Sequence, residues 1–361
     1  MAQKQLTIWL AGGGTGGHIS PAIAMFEYFK QKGLNTKVVT LEKNKNYPSI
    51  VNLENTNINS KPVIYYNASG IPKSLKAMYF FFKTLLNSFK VLNRECLNKA
   101  PDAILAFGGY PVFPVLLWAI FHRIPYYLHE QNSVHGFITR LFTFKSKRIF
   151  LSFPQKHYSP KTMLTGNPLR SMFLYSKTVR PLGKSNTTAR KILIIGGSQG
   201  AKDVNNLYLE IIQDSYFKSS VITISTGNQD WEHIQRAARK QDKVLSFIED
   251  MPAALMSNDL IISRAGSGSI YEIIWSGKPA CFLPYPHAAA DHQKHNVLAL
   301  MGKGQYFILD IRPFDPHRAV EMLKEYLSGM DKQKGSSKSN QDDLPLNAHE
   351  VIFRSILEDL S

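Results

Sequence analysis

The chain is poor in several features that would assign it quickly. Only two of its 361 residues are cysteine, Cys96 and Cys281. That is too few for a disulfide framework and suits a reducing cytosol. No uninterrupted apolar run approaches the ~20 residues of a spanning helix. The start, Met-Ala-Gln-Lys-Gln and a short apolar run that stops at glycine, lacks the long apolar core and cleavage site of a signal peptide. Acidic residues are scarce: 27 Asp and Glu against 43 Lys and Arg leave a net charge of +16. Such a surplus favours anionic partners, whether nucleic acid, anionic lipid or phosphorylated substrates. No reading helix or base-stacking platform accompanies it, which argues against nucleic acid.

What is present is an alternation. "LTIWLA" reads as a buried strand, and "SPAIAMFEYFKQKG" as a helix with Ser20 as cap, Pro21 in its first turn and Gly33 at its end. "NTKVVTLE", "PDAILAFGG" and "IPYYLHEQN" read as further strands, the pattern of a parallel sheet covered on both faces. A Gly-Asn-Pro turn in "LTGNPLRSMF" breaks the pattern, and "KILIIGGSQGAKDVNNLYLEII" starts it again. The expected class is α/β with two Rossmann-like domains. Residues 1–168 form the first and 169–346 the second, and a helix over 347–361 returns to dock on the first.

Both halves begin with a strand that feeds a glycine turn. Gly12-x-Gly14-x-x-Gly17 fits the dinucleotide fingerprint, with Glu42 ending the next strand where a ribose-binding acid would stand. This reading alone would make the chain a nicotinamide-dependent dehydrogenase, but it leaves the second glycine turn unexplained. The first turn carries no Gly-Lys-[Ser/Thr], against an ATP-type loop. More generally, a glycine turn at a helix N-terminus offers free N–H groups and a positive dipole end to an anion. His18 follows at once, either as a structural donor or as a base able to accept a proton at neutral pH. "GGSQGAKDVN" gives a second anion-binding turn. "SRAGSGSIYE" places Glu272 in a helix where a carboxylate could hold ribose hydroxyls. Asp291, His292 and Gln293 lack metal-ligand spacing and read better as partners for sugar hydroxyls.

"GGGTGGH", "HEQN", "GNPLR", "GGSQGA" and "DHQ", collinear from Leu6 to about Asp310, resemble the MurG family of bacterial cell-wall glycosyltransferases. The resemblance implies the GT-B fold, two Rossmann-like domains facing across a cleft. It implies inverting transfer of N-acetylglucosamine from UDP-N-acetylglucosamine to the muramyl 4-hydroxyl of undecaprenyl-diphosphate-linked muramyl-pentapeptide, with no organic cofactor and no metal site. Another GT-B enzyme, a lipid glycosyltransferase or UDP-sugar epimerase, is the alternative. Carried over, Thr15, Gly16 and Gly17 belong to the diphosphate-facing loop and His18 to the general base. Asn132, Arg170, Ser198, Ile248, Ser267, Gly268, Ser269, Glu272 and Gln293 match donor-binding positions. Tyr110, Glu130 and Asn205 match the family pattern without an assigned role. Three departures stand out: Val112 and Phe113 replace small residues, "GSGS" replaces Gly-Ala-Leu-Thr, and Lys294 follows Gln293 where a second amide is usual.

A lipid-linked acceptor implies a bilayer surface, with the enzyme peripheral on the cytoplasmic side of the inner membrane. "IPKSLKAMYFFFKTLLNSFKVLNREC" is the stretch suited to it. Leu75, Met78, Tyr79, Phe82, Leu85, Leu86 and Phe89 recur at helical spacing and could face the core. Phe80 and Phe81 fall outside that stripe, and Lys73, Lys76 and Lys83 interleave with it. Basic plus aromatic is the composition of an interfacial helix on anionic lipid.

Overall fold

The structure is a computed structural model that describes residues 5–14, 16–57, 61–70, 72, 74–155, 159–176, 190–197, 200–302, 305–333 and 344–361. The chain divides into two compact units, Met1–Ser171 with Leu344–Ser361, and Met172–Asp343. Residues 169–171 and 344–346, assigned to the second domain from sequence, thus belong with the first.

The first unit holds seven strands: β1 (Thr7–Ala11), β2 (Asn35–Leu41), β3 (Val63–Tyr66), β4 (Ala103–Ala106), β5 (Tyr126–Glu130), β6 (Ile149–Leu151) and β7 (Thr162–Leu164). They form one parallel sheet in the order β3-β2-β1-β4-β5-β6-β7. Helices α1 (Gly16–Gln31), α2 (Pro48–Asn55), α3 (Leu75–Asn98), α4 (Phe113–Phe121) and α5 (Phe137–Phe142) lie between them, and α6 (Ser171–Leu174) follows. β1 is buried on both faces, so it reads as an unbroken apolar run. Successive side chains go to opposite layers. Trp9 stacks on Trp118 of α4 at 5.4 Å, whereas Ile8 and Leu10 join Phe26 and Phe29 of α1.

The second unit holds β8 (Lys191–Ile195), β9 (Val221–Ser225), β10 (Lys243–Leu245), β11 (Leu260–Ser263), β12 (Ala280–Phe282) and β13 (Tyr306–Ile308). The order is β10-β9-β8-β11-β12-β13, again all parallel. Its helices are α7 (Lys202–Ile211), α8 (Trp231–Ala237), α9 (Met251–Met256), α10 (Ser267–Ser276), α11 (His292–Leu298) and α12 (Pro316–Gln333). In each sheet the strand order reverses at a central pair, β1/β4 and β8/β11. Ligands of open α/β sheets bind at the carboxyl ends of such a pair.

The final helix, α13 (Ala348–Leu360), lies in the first unit. Ala348, Ile352 and Ile356 share the apolar layer of Ile8, Phe29 and Phe107. Arg148 donates to both carboxylate oxygens of Asp359, at 2.8 and 2.6 Å.

Two expectations change. α1 begins at Gly16, so Ser20 is not its cap and Pro21 stands inside the helix, where it has no N–H for the Gly17 carbonyl. The Ser-Pro pair is a good start signal, yet the glycines upstream let the helix begin a turn earlier. His18 therefore belongs to the first turn of a helix and not to a loop. The α3 stripe does not face the core. Leu75, Tyr79, Phe82 and Leu86 are exposed, and within α3 only Ser88 and Leu92 are buried. Helical spacing defines a stripe but not what it meets.

Candidate active site

The β1–α1 turn is packed by its own domain. A methyl added at Gly12 would lie 2.5 Å from the His18 carbonyl oxygen, and one at Gly13 would lie 2.7 Å from both Asn44 Nδ2 and Thr40 Oγ1. Asn44 donates to Thr40 Oγ1 at 2.9 Å. A methyl at Gly14 would meet Pro111 Cγ at 3.2 Å. Gly13 and Gly14 also have φ of +154° and +88°. Glu42, expected as a ribose partner, is instead exposed on the single 3-10 turn after β2. Thr15 lies outside the described residues. Gly16 and Gly17 open α1 and direct their amides to its N-terminal end.

From the first turn of α1, His18 reaches the adjacent strand of the switch pair. Its Nδ1 is 2.8 Å from the Phe107 carbonyl oxygen and 3.1 Å from Gln131 Oε1. Both are acceptors, so Nδ1 bears the proton and Nε2 the lone pair. Among the described residues Nε2 has no hydrogen-bond partner. Gly108 and Gly109, both at φ +75°, lie against the ring. A methyl on Gly109 would come within 3.0 Å of His18 Cδ2. Tyr110 stands at the rim, its hydroxyl accepting from Lys43 Nζ at 3.0 Å.

The end of β5 supports this arrangement. Glu130 is buried, and its carboxylate accepts from Asn132 N (3.1 Å), Gly136 N (2.9 Å) and Thr139 Oγ1 (2.6 Å). It fixes the loop that carries Asn132, the role left open from sequence. Gln131 Nε2 donates to the His129 carbonyl at 3.1 Å and lies 3.0 Å from His129 Nδ1. His129 Nε2 lies 3.0 Å from the Gly166 carbonyl. Burial pushes the His129 pKa down to about 4, the bond to Gly166 opposes the shift, and nearby His349 adds to it. Gln131 and His129 were missed because nothing in the string "HEQN" shows that they sit beneath a residue more than a hundred positions earlier.

In the second unit, α7 and α10 start at the carboxyl ends of β8 and β11. Ser198 lies outside the described residues. Ser267, Gly268 and Ser269 form the first turn of α10, and Glu272 stands half-buried one turn on. No described residue comes within 4 Å of a methyl built at Gly197, Gly266 or Gly268. Asn205 holds the β9–α8 loop, donating to Asp230 Oδ2 at 2.7 Å and Thr226 O at 3.3 Å. Ile248 is buried, so the contact expected of it is a backbone one. Arg170 is half-buried just before α6, in the first unit.

The Asp291–Gln293 segment corrects the sequence reading in part. Asp291 is paired with Arg312 at 2.8 Å. His292 Nδ1 lies 2.8 Å from the Ala289 carbonyl. Lys294 is bound to Asp310 at 2.6 Å. Gln293 Oε1 accepts from Tyr285 N (2.9 Å) and Ala265 N (3.3 Å), which joins the loops after β12 and β11 and leaves its amide N–H groups as donors. Arg264, unnoticed in the sequence, is buried between Asp203 (2.7 Å) and the carbonyls of Leu283 and Pro284.

On α3, Phe80 is exposed beside Tyr79 and Phe82, while Phe81 turns toward Phe113 at 5.7 Å. Phe113, one of the family departures, also meets Phe142 at 5.7 Å. Lys76 and Lys83 are exposed, and Lys73 lies outside the described residues. Among the described residues no helix is long and apolar enough to cross a membrane, and no three His, Cys, Asp or Glu side chains are grouped to hold a metal.

Residues 8–151 match the glycosyltransferase family 28 N-terminal domain, and 191–351 the glycosyltransferase family 28 C-terminal domain. A Geobacter metallireducens protein named UDP-N-acetylglucosamine--N-acetylmuramyl-(pentapeptide) pyrophosphoryl-undecaprenol N-acetylglucosamine transferase is 31% identical over 98% of each chain. The crystal structure of Acinetobacter baumannii MurG superposes with a TM-score of 0.75 at 23% identity, covering 98% of this chain and 99% of that one. The UDP-GlcNAc 2-epimerase of Neisseria meningitidis shares the fold at a TM-score of 0.63 and 15% identity, covering 98% of this chain and 100% of that one. The fold is GT-B, two parallel-sheet α/β domains. Near-complete coverage by a relative of this identity, with both domain matches in order, makes the chain a member of the MurG family of glycosyltransferases.

Proposed function

We propose that the chain transfers N-acetylglucosamine from UDP-N-acetylglucosamine to the 4-hydroxyl of the muramyl sugar of undecaprenyl-diphosphate-linked muramyl-pentapeptide, a step of peptidoglycan synthesis. The observation that carries the reading is His18. Its Nδ1 is committed to two oxygen acceptors, and its Nε2 is open at a sheet switch point beside a helix N-terminus. As the acceptor oxygen bonds to the anomeric carbon, Nε2 takes the hydroxyl proton. The bond to UDP breaks on the opposite face, its electron pair leaves with the diphosphate, and the anomeric centre inverts. Amides of Gly16 and Gly17 hold the acceptor diphosphate. Those at Ser267, Gly268 and Ser269, with Arg170, offset charge growing on UDP. Glu272 accepts from the ribose hydroxyls. Gln293 donates from its outward N–H groups, and Asn132 adds a polar contact to the donor sugar.

The exposed part of α3 supports a peripheral seat on an anionic membrane surface. Tyr79, Phe80, Phe82 and Leu86 insert, and Lys76 and Lys83 meet anionic headgroups, each worth about 1 kcal/mol near the surface. Phe121 of α4, exposed and 6.0 Å from Phe89, extends the same patch.

Labelled sugar transfer from UDP-N-acetylglucosamine to a lipid I analogue tests the reaction. Sugar should move only when acceptor is present, and turnover of the donor without acceptor would point to an epimerase. Anionic vesicles should bind the enzyme in a salt-sensitive manner, and a Phe80→Ser/Phe82→Ser variant should lose that binding while keeping its melting temperature.

A further inference from the structure

We infer that Gln131 is a positioning residue for His18: backed by His129, its side-chain oxygen fixes the proton on Nδ1 and strengthens Nε2 as the base. The inference rests on the base role given to His18 above.

The hydrogen-bond chain runs between two backbone carbonyls, which can only accept. At the far end the Gly166 carbonyl, 3.0 Å from His129 Nε2, requires an N–H there. His129 is fully buried and neutral, so its Nδ1 carries a lone pair and can only accept. The Gln131 group 3.0 Å from that nitrogen is therefore the NH2, which donates to the His129 carbonyl as well. This turns Oε1 to His18, where it and the Phe107 carbonyl share the Nδ1 proton at 3.1 and 2.8 Å. A flipped amide would set NH2 against N–H at one end and leave the His129 lone pair facing an oxygen at the other. When Nε2 accepts a proton, the charge on the ring strengthens its bond to both oxygens. The network thus favours the protonated ring that the transfer step creates. Gln131 is itself buried, so water does not substitute for either contact.

Few other titratable groups stand near. His129 lies directly behind Gln131, and His349 of α13 lies behind His129. Glu130 faces the opposite side of β5, where three donors occupy its carboxylate. At the rim, Lys43 and Tyr110 are paired with each other.

Nitrogen-15 spectra of the full-length, histidine-labelled enzyme test the geometry directly. His18 should carry its proton on Nδ1 and His129 on Nε2, the two assigned from the signals lost in His18→Ala and His129→Phe. Gln131→Leu should lower kcat by about 10- to 100-fold, less than loss of the base itself, with KM for both substrates changed less than twofold. The acidic limb of its kcat profile should move to lower pH, because the protonated ring has lost an acceptor. Gln131→Glu, which sets a carboxylate there, should move that limb to higher pH. A proton on Nε2 of His18 in the unaltered enzyme overturns the inference, even where neither variant folds. So does a fall in kcat with the limb unmoved, which marks a merely structural glutamine. Unaltered enzyme that transfers no sugar would instead remove the base role itself.

Discussion

The two glycine turns look alike as sequence and differ in what occupies the space their missing side chains leave. In the first domain that space is filled from within, by the His18 carbonyl, Thr40, Asn44 and Pro111. In the second domain Gly196 and Gly200 are packed as closely, against Ala201 N and the Thr226 carbonyl, and it is Gly197, with Gly266 and Gly268 at the start of α10, that has no such neighbour. Glycine in the first turn permits close packing that brings a helix terminus and an imidazole to the sheet edge. In the second, Gly266 and Gly268 leave the start of α10 uncovered, where we propose that UDP binds. The buried histidines fall on one side only. His129 and His349 are both in the first domain, and among the described residues the second domain buries no histidine.

Substitutions can break this contrast or sharpen it. His18→Ala should reduce sugar transfer by about 100- to 10,000-fold while UDP still raises the melting temperature as before. Unchanged turnover would remove the histidine from the chemistry. Gly200→Ala should cost at least about 2 kcal/mol of stability, read by denaturant unfolding. Its φ is +79°, and the added methyl would lie 2.2 Å from the Thr226 carbonyl oxygen. Acid should then separate the domains. Burial holds His129 and His349 near pKa 4, below the usual 6.5, so only the unfolded chain takes up their protons between those values. Stability of the first domain is whole above pH 6.5 and falls as pH drops toward 4, whereas the second should hold. Calorimetry at pH 7 and pH 5 would show two transitions moving apart. Gly268→Ala should have the smallest effect. The α10 helix should gain up to about 1 kcal/mol of propensity, yet UDP should bind more weakly, because the methyl would enter the space proposed for it. Unaltered UDP affinity would show that this space is not used.

The alternation of strands and glycine-started helices was legible because periodicity and turn residues are local signals. β1 and β8 could be read from apolar runs ending at glycine, and both turns from composition. What could not be read depends on distance along the chain. The support for His18 comes from Phe107 and Gln131, 89 and 113 positions away. Asp291 resembled a sugar ligand until Arg312 was found beside it. The α3 stripe had the right period for a core face, but the layer above β1 was already filled by α4 and by the second half of α3 itself.

Helix α13 has a consequence for how the molecule is made. The first domain is interrupted: its closing helix is translated only after the whole second domain has been synthesised. Until then Ile352 and Ile356 are missing from the layer that holds Phe107, and His349 is missing from behind His129. A nascent chain, or one cut short by a stop codon before Ala348, would carry every motif residue from Gly12 to Gln293 and still lack part of the core behind β4 and β5. The apolar layer of the first domain is therefore complete only once its last helix, thirteen residues long, has been made.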